Sequence, residues 1–509
     1  MRRGVRALAA AALLSGCARY VAQPVSVERN AARFDARTLA DPGLSAFLGA
    51  SLPAGAPAWG VGRLSLAALY FQPGIEVARS RLAVALGATR TAGQVANPTV
   101  SASAFYNLVI THPTPWTVGL VVNFLVESLG RRGARVAQAG ALAEAARADI
   151  ATAGWAVRAK VRDALLALWA ARARGALARG AAGVQGQVAA LDAARAAAGH
   201  DAGPEAARAR VAALGAEGEA AAQERAEGEA LGRLAEAVGV PAGALRDADV
   251  STAAFDGAGP GGGASGGVAP DAAVSGGTAV DAGELRRVAL TRRSDVVAAV
   301  AEYRAAEAGV RLQIAAQYPN LVIGPGANYG NLDAERLSTQ VGVPFALELP
   351  VFNRNEGPIA EALARRREAA ASLVGVQAGI AASIDGAAAG LGAARAAQAA
   401  AGRLVAAAGQ VDAQAARALA GGASDRPARL AAALALGEAR RGAMEARLSG
   451  LEALGRLEEA AQQPLFEPAL WPAGAGALPG LPGEAAPGAG DAAVPAQGAD
   501  RGPARGSAT

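Results

Sequence analysis

The chain has 509 residues, room for two or more domains, and 52% of them are hydrophobic, enough to bury a large core. Aromatic residues make up only 4% while Ala and Gly dominate, which argues against a mixed α/β enzyme core and for long Ala-rich helices packed at close range. The net charge of +5 rests on Arg, since Lys160 is the only lysine, and Arg alternates with Asp and Glu instead of gathering into the stripe a nucleic-acid binder needs.

At the N-terminus Arg2, Arg3 and Arg6 precede the apolar run Ala7 to Leu14, followed by Leu14-Ser15-Gly16-Cys17. A short basic region, a short apolar run and small residues before a cut describe an export signal over residues 1–17, too short to span a bilayer as a helix. The cut site resembles the bacterial lipobox, in which the cysteine is lipidated and becomes the first mature residue; an ordinary secretory signal with an incidental cysteine is the alternative. Cys17 is the only cysteine, which rules out an internal disulfide or a CxxC site. Ala18 follows it, and a residue other than Asp there implies sorting to the outer membrane.

After an extension at residues 18–62, the chain repeats itself. A shift of 221 places Leu69 on Leu290, Ile75 on Val296 and Pro98 on Pro319. A shift of 223 then places Val118-Gly119 on Val341-Gly342, Pro204 on Pro427, Leu231-Gly232-Arg233-Leu234 on Leu454-Gly455-Arg456-Leu457, and Pro241 on Pro464. Chance similarity between Ala-rich segments would not hold prolines and a four-residue identity in register. The copies run over residues 63–245 and 284–466. Between them, 246–283 has the Gly-, Ala- and Ser-rich composition of a flexible linker, and 467–509 that of a disordered tail.

Each copy opens with one predicted helix, Ser65 to Ala96 and Glu284 to Gln317, stopping before Pro98 or Pro319. Two strands follow. Val118, Leu120, Val122, Phe124 and Val126 alternate with small or polar residues in the first copy, and Val341, Val343, Phe345, Leu347 and Leu349 do so in the second. This period of two over about ten residues suits a strand crossing an outer membrane with those side chains toward lipid. A soluble β-domain with one buried face gives the same pattern. The earlier strands run Thr99 to Asn107 and Asn320 to Tyr329, with hairpin loops near Thr111 to Pro115 and Asn331 to Arg336. Long helical tracts then cover Arg131 to Ala198 and Glu205 to Ala237, and their counterparts Pro358 to Ala420 and Pro427 to Ala461. The longest reaches roughly 100 Å if unbroken. Gly175, Gly180, Gly183, Gly215, Gly218 and Gly228 each cost about 1 kcal/mol relative to Ala in an exposed helix, which weakens the expectation of straight, continuous rods.

Four strands per chain set the main constraint. Strand edges in lipid leave N–H and C=O groups without partners, so membrane strands must close into a barrel, and single-chain barrels begin at about eight strands. Several chains must therefore share one barrel; three chains giving twelve strands is the smallest arrangement that leaves a usable lumen.

In Ala96-Asn97-Pro98-Thr99-Val100, Arg292-Arg293-Ser294-Asp295, Tyr318-Pro319-Asn320-Leu321, Leu349-Pro350-Val351-Phe352-Asn353-Arg354-Asn355 and the following Gly357, taken in this order with the duplication, the chain resembles the TolC family of outer-membrane efflux proteins and its lipid-anchored members. Ser294 stands where that family commonly has proline. The resemblance implies a mainly α fold with a small membrane β-barrel, a trimer of four strands per chain and a helical tunnel extending into the periplasm. It also implies a passive exit duct paired with an inner-membrane pump through a periplasmic adaptor, serving efflux or type I secretion.

The turns between the long helices recur as Arg195-Ala-Ala-Ala-Gly199 and Arg417-Ala-Leu-Ala-Gly421, with Ser424 after the second. Each glycine is expected to end its helix at positive φ, with Pro204 or Pro427 starting the next. The turns resemble the family's hairpin tip, which implies adaptor contacts for Arg195, Gly199, Arg417, Gly421 and Ser424; plain helix punctuation explains the glycines and prolines equally well. Asp201, Glu205 and Asp425 are candidates for an acidic ring at the tunnel mouth, against ordinary surface solvation.

No catalytic, cofactor or metal site is expected. His112 and His200 fall far apart, Met1 and Met444 are the only methionines, so a Met-rich copper path is unsupported, and the Gly-rich runs lack the Lys-Ser/Thr of a phosphate loop. A periplasmic coiled-coil adaptor or structural lipoprotein is the rival, accounting for the anchor and helices but not for paired strands recurring at a fixed offset.

Overall fold

A computed structural model describes residues 20–51, 58–106, 108, 115–128, 130–199, 203–256, 281–333, 336–467 and 471. The elements run α1 Val27–Asp35, α2 Pro42–Ser51, α3 Val61–Phe71, α4 Pro73–Gly93, β1 Thr99–Tyr106, β2 Trp116–Val126, α5 Arg131–Ala197, α6 Gly203–Val238 and α7 Ala242–Arg246. After a short 3-10 turn at Ala253–Phe255 come α8 Ala282–Arg292, α9 Ser294–Ala315, β3 Leu321–Ile323, β4 Gly326–Asp333, β5 Arg336–Gly342, β6 Phe345–Leu347, α10 Glu356–Ala420 and α11 Arg426–Ala461. The fold is mainly α with one small sheet, as the sequence implies.

The opening helix of each copy is broken, which corrects the expectation of one continuous helix. Gln72 (φ −72°, ψ 119°) precedes Pro73 and divides α3 from α4; Arg293 (φ −60°, ψ 145°) divides α8 from α9. Gln72 and Arg293 correspond under the first offset of the duplication, and they do equivalent work. The Gln72 amide donates to the carbonyls of Glu236 and Ala237, both at 2.7 Å. The Arg293 guanidinium donates to those of Glu459, at 3.1 Å, and Ala460. Each thus satisfies the orphan carbonyls in the last turn of the second long helix of its own copy.

The long helices match the sequence closely and run through their glycines without a break, α5 for 67 residues and α10 for 65. At 1.5 Å per residue each is on the order of 100 Å long. α5 and α11 lie antiparallel, since Arg158 meets Glu458 while Arg174 meets Glu445. The two hairpins, α5/α6 and α10/α11, therefore turn at one end of the molecule, and the strands preceding α5 and α10 lie at the other.

The core lies between these ends, where Leu64, Leu66, Val161, Leu165, Leu168, Leu234, Val238, Leu451, Leu454 and Leu457 are all buried. It also takes in residues the composition assigns to the linker and tail. Val250 and Phe255 are buried, and the Phe255 ring meets Phe466 at 5.7 Å. Glu467 accepts the Gly62 N–H at 2.7 Å, and Trp471 is buried. Residues 246–256 and at least Glu467 and Trp471 thus pack with the helices, because a few large apolar side chains and the Glu467 hydrogen bond outweigh a flexible composition.

Candidate membrane sheet and hairpin tips

The sheet is four strands wide and antiparallel throughout: β1 pairs β2, β2 pairs β4 and β3 in succession, and these pair β5 and β6. The second copy's strands are each expected to be continuous, and both are interrupted instead, at Gly324-Pro325 and at Val343-Pro344. Proline has no N–H for the ladder. Its carbonyls still serve: Pro325 O accepts from Val122 N at 3.0 Å and Pro344 O from Gly324 N at 2.8 Å. The second hairpin is also tighter than expected, with Asp333 opposite Arg336.

Register assigns every strand residue to a face, because directly opposed residues in an antiparallel pair point the same way. Val118 lies opposite Ala104 and Tyr329, Leu120 opposite Ala102 and Ala327, Ala327 opposite Val341, Phe124 opposite Ile323, and Ile323 opposite Phe345. One face therefore carries Val100, Val118, Leu120, Val122, Phe124, Val126, Tyr329, Val341, Phe345 and Leu347. Val343 and Leu349 follow in the chain just outside the strands. Val122 is half-buried, and the other nine predicted lipid-facing residues are exposed, Val341 to 81% and Phe345 to 78%. The opposite face is mixed: it carries Thr99, Ser101, Ser103, Thr117, Gly119, Asn123, Gly326, Asn328 and Gln340, with the apolar Phe105, Val121, Leu125 and Val322 among them.

An exposed apolar face on a sheet of this size is a liability in water and the expected wall of a barrel in lipid. The sheet does not close. Among the described residues the outer edges of β1, β5 and β6 have no strand partner.

At the other end, Gly199 ends its helix at φ +79° as expected. Gly421 does not; it has φ −84°, and the left-handed residue is the adjacent Gly422 at +71°, a correction within a glycine pair where either can serve. Arg195 lies 3.8 Å from Asp192, and Arg417 Nε donates to the Ala413 carbonyl at 3.3 Å. Asp425 is the N-cap of α11, accepting from Ala428 N at 3.0 Å, and Arg429 pairs with Asp412. Glu205 is exposed in the first turn of α6, and Ser424 is half-buried. Asp201, like Cys17, His112 and His200, lies outside the described residues.

Sequence reasoning missed a cluster of titratable groups at the centre of the core. Arg158, Arg162 and Glu458 are all buried; Arg158 Nε donates to Glu458 Oε1 at 3.1 Å and Arg162 Nη1 to the same oxygen at 3.4 Å. Glu458 Oε2 accepts from the N–H groups of Leu465 and Phe466 at 2.6 and 2.9 Å, Arg158 also donates to the Phe466 carbonyl, and its guanidinium lies 4.9 Å from the Trp471 ring centroid. These bonds tie α5 to α11 and to the chain that follows it. The one available signal was two arginines four apart at the start of Val157 to Trp169, a stretch that also holds Lys160 and Asp163 before it turns apolar. Nearby, burial pushes the Glu467 carboxyl above its ordinary range against the opposing pull of the Gly62 N–H and Arg158. The Arg174 hydrogen bonds hold Glu445 below it.

Residues 285–462 match the family model described as outer membrane efflux protein. A search of curated proteins finds no match. Among solved structures, the outer membrane protein VceC of Vibrio cholerae is 21% identical with a TM-score of 0.60, covering 79% of this chain and 95% of that one. The CmeC outer membrane channel of Campylobacter jejuni is 14% identical with a TM-score of 0.58, covering 79% and 85%. The open state of the MtrE outer membrane channel of Neisseria gonorrhoeae is 16% identical with a TM-score of 0.57, covering 80% and 90%. The chain thus has the fold of TolC-type outer-membrane channels, and its second repeat carries the sequence pattern of the outer membrane efflux protein family.

Proposed function

We propose that this chain is one subunit of an outer-membrane exit duct for an efflux or secretion pump, passing small molecules passively. The observation that carries this is the open sheet: one apolar exposed face, one more polar face and two edges unpaired among the described residues, at the far end of the molecule from two hairpins whose longer helices are each on the order of 100 Å. Unpaired edges cannot persist in lipid, so three copies join β1 of one to β5 and β6 of the next in a twelve-stranded barrel, with the helices continuing its wall as a tunnel through the periplasm. The ten predicted apolar strand residues then meet lipid.

The helix α10 has an apolar stretch of mean hydropathy 1.3 that is only 17% buried. At 65 residues it is about three times the length needed to cross a bilayer, and its hairpin with α11 favours a tunnel wall, with the apolar stretch covered by neighbouring subunits. Cys17 is the lipidated first residue of the mature protein. Residues 63–245 and 284–466 act as two like units, whose tips, with Arg195, Gly199, Arg417, Gly421 and Ser424, meet a periplasmic adaptor of the pump. Asp201, Glu205 and Asp425 surround the tunnel mouth, although the capping bond of Asp425 leaves only one of its oxygens for that role. Planar-bilayer recording of the purified protein tests the duct: discrete conductance steps are expected, and a protein that inserts without conducting would overturn it.

A further inference from the structure

The polar face of the sheet carries a feature the duct reading does not require. Asn123 Nδ2 donates to Ser101 Oγ at 2.9 Å, and its Oδ1 lies 2.7 Å from where a Cβ on Gly324 would sit. Asn328 stands directly opposite Gly119, and a Cβ on Gly119 would overlap both the Asn328 carboxamide oxygen and Ser103 Oγ, the latter at 2.6 Å. Both carboxamides thus lie over glycines, along the wall, and that of Asn123 is hydrogen-bonded to it. Thr99, Thr117 and Gln340 are further polar residues of this face, and from Thr99 to Leu347 the strand residues carry charge only at the Asp333–Arg336 hairpin. The long helices, by contrast, alternate Arg with Asp and Glu throughout.

We infer that Asn123 and Asn328, seated on Gly324 and Gly119, form an uncharged hydrogen-bonding belt around the barrel lumen, so that this part of the duct admits polar cargo of either charge and leaves charge selection to the helical end. The inference rests on the channel reading and adds a cargo class and the residues that set it. A charged ring at a constriction concentrates counter-ions and repels co-ions, whereas carboxamides offer donors and acceptors alike and favour neither sign. Glycine beneath each carboxamide keeps the belt wide, because a methyl at Gly119 must lift Asn328 off the wall.

The test is the reversal potential in a KCl gradient across planar bilayers, for the wild type and for Asn328→Asp, Asn328→Arg and Asn328→Gln. Three symmetric substitutions place a ring of like charge in the belt, so the cation-to-anion permeability ratio is expected to rise about tenfold for Asn328→Asp and fall comparably for Asn328→Arg. Asn328→Gln, which adds length but no charge, should keep the wild-type permeability ratio. Gly119→Ala should lower conductance without changing the ratio. Conducting channels whose ratio is the same in all four proteins would overturn the belt while sparing the duct. Membrane-inserted wild type with no conductance would overturn both.

Discussion

Ser294 and Gln462 hold each other through a bond that the first copy of the duplication cannot make. Gln462 Oε1 accepts from both the N–H and the hydroxyl of Ser294, each at 2.9 Å, and the hydroxyl also lies 2.7 Å from Thr152 Oγ. The corresponding residues in the first copy are Pro73, which has no N–H, and Gly239, which has no side chain. Gly239 takes φ +86° without strain; Gln462 takes +47° although it is not glycine. The copies have thus settled the same joint in two ways, one by backbone freedom and one by a hydrogen bond. Ser294→Pro suits the backbone, because Arg293 is already extended and proline favours a first helical position. It removes both bonds, however, and is expected to cost about 1–2 kcal/mol. Adding Gln462→Gly should recover most of that loss, with a coupling of about 1 kcal/mol in the double-mutant cycle. Strict additivity in chemical denaturation would contradict the account.

The Arg158–Glu458–Arg162 cluster should respond asymmetrically. Glu458→Ala leaves two buried arginines without their shared partner and is expected to cost about 3–5 kcal/mol. Replacing all three residues by Met removes the buried charge, yet orphans the Leu465 and Phe466 N–H groups. The triple variant should therefore regain much, but not all, of the wild-type stability in the same denaturation assay.

Gly232 and Gly455 are counterparts in the two copies, and alanine should affect them in opposite directions. A Cβ at Gly455 would lie 2.7 Å from Arg162 Nε and 3.0 Å from its Cζ, whereas a Cβ at Gly232 meets nothing within 4 Å. Gly455→Ala displaces a clamped guanidinium and should destabilise by about 1–3 kcal/mol. Gly232→Ala only limits the unfolded chain and should stabilise by about 0.5–1 kcal/mol. Thermal unfolding of the two single variants decides the signs.

Glu467 predicts an unusual pH dependence. Its carboxyl is held above the ordinary value of 4.5, mainly by desolvation. On acidification the folded state takes up this proton before the unfolded state does. The burial cost is therefore present at neutral pH and is relieved as pH falls through the raised value toward 4.5, so this group stabilises the fold in mild acid, opposite to a salt-bridged carboxylate such as Glu445. Glu467→Gln should remove that component. Hydrogen exchange at the Gly62 N–H, followed from neutral pH downward in both proteins and corrected for intrinsic rates, should show protection increasing only in the wild type.

The long helices, the strand positions and the duplication were legible because each depends on local signals: prolines at element boundaries, a period of two in the strands, and a constant offset. The break at Gln72 is marked in the sequence by Pro73, although the apolar pattern continues across it. The break at Arg293 has no such mark, and the carbonyls that Arg293 satisfies, those of Glu459 and Ala460, lie far away in sequence. The glycine pair at 421–422 hid which residue turns left-handed. Glu467 and Trp471 were assigned by composition to a tail because the arginine and the backbone N–H that hold them lie hundreds of residues earlier. The buried ion cluster escaped for the same reason: Arg158 and Arg162 look like one face of a solvated helix until Glu458 is placed beside them.

The most direct test of the central claim is the native mass of the protein extracted from outer membranes in mild detergent. Three chains held together without denaturant are expected, because one sheet with two free edges cannot close alone. A stable single chain, inserted in the membrane and folded, would contradict the shared barrel.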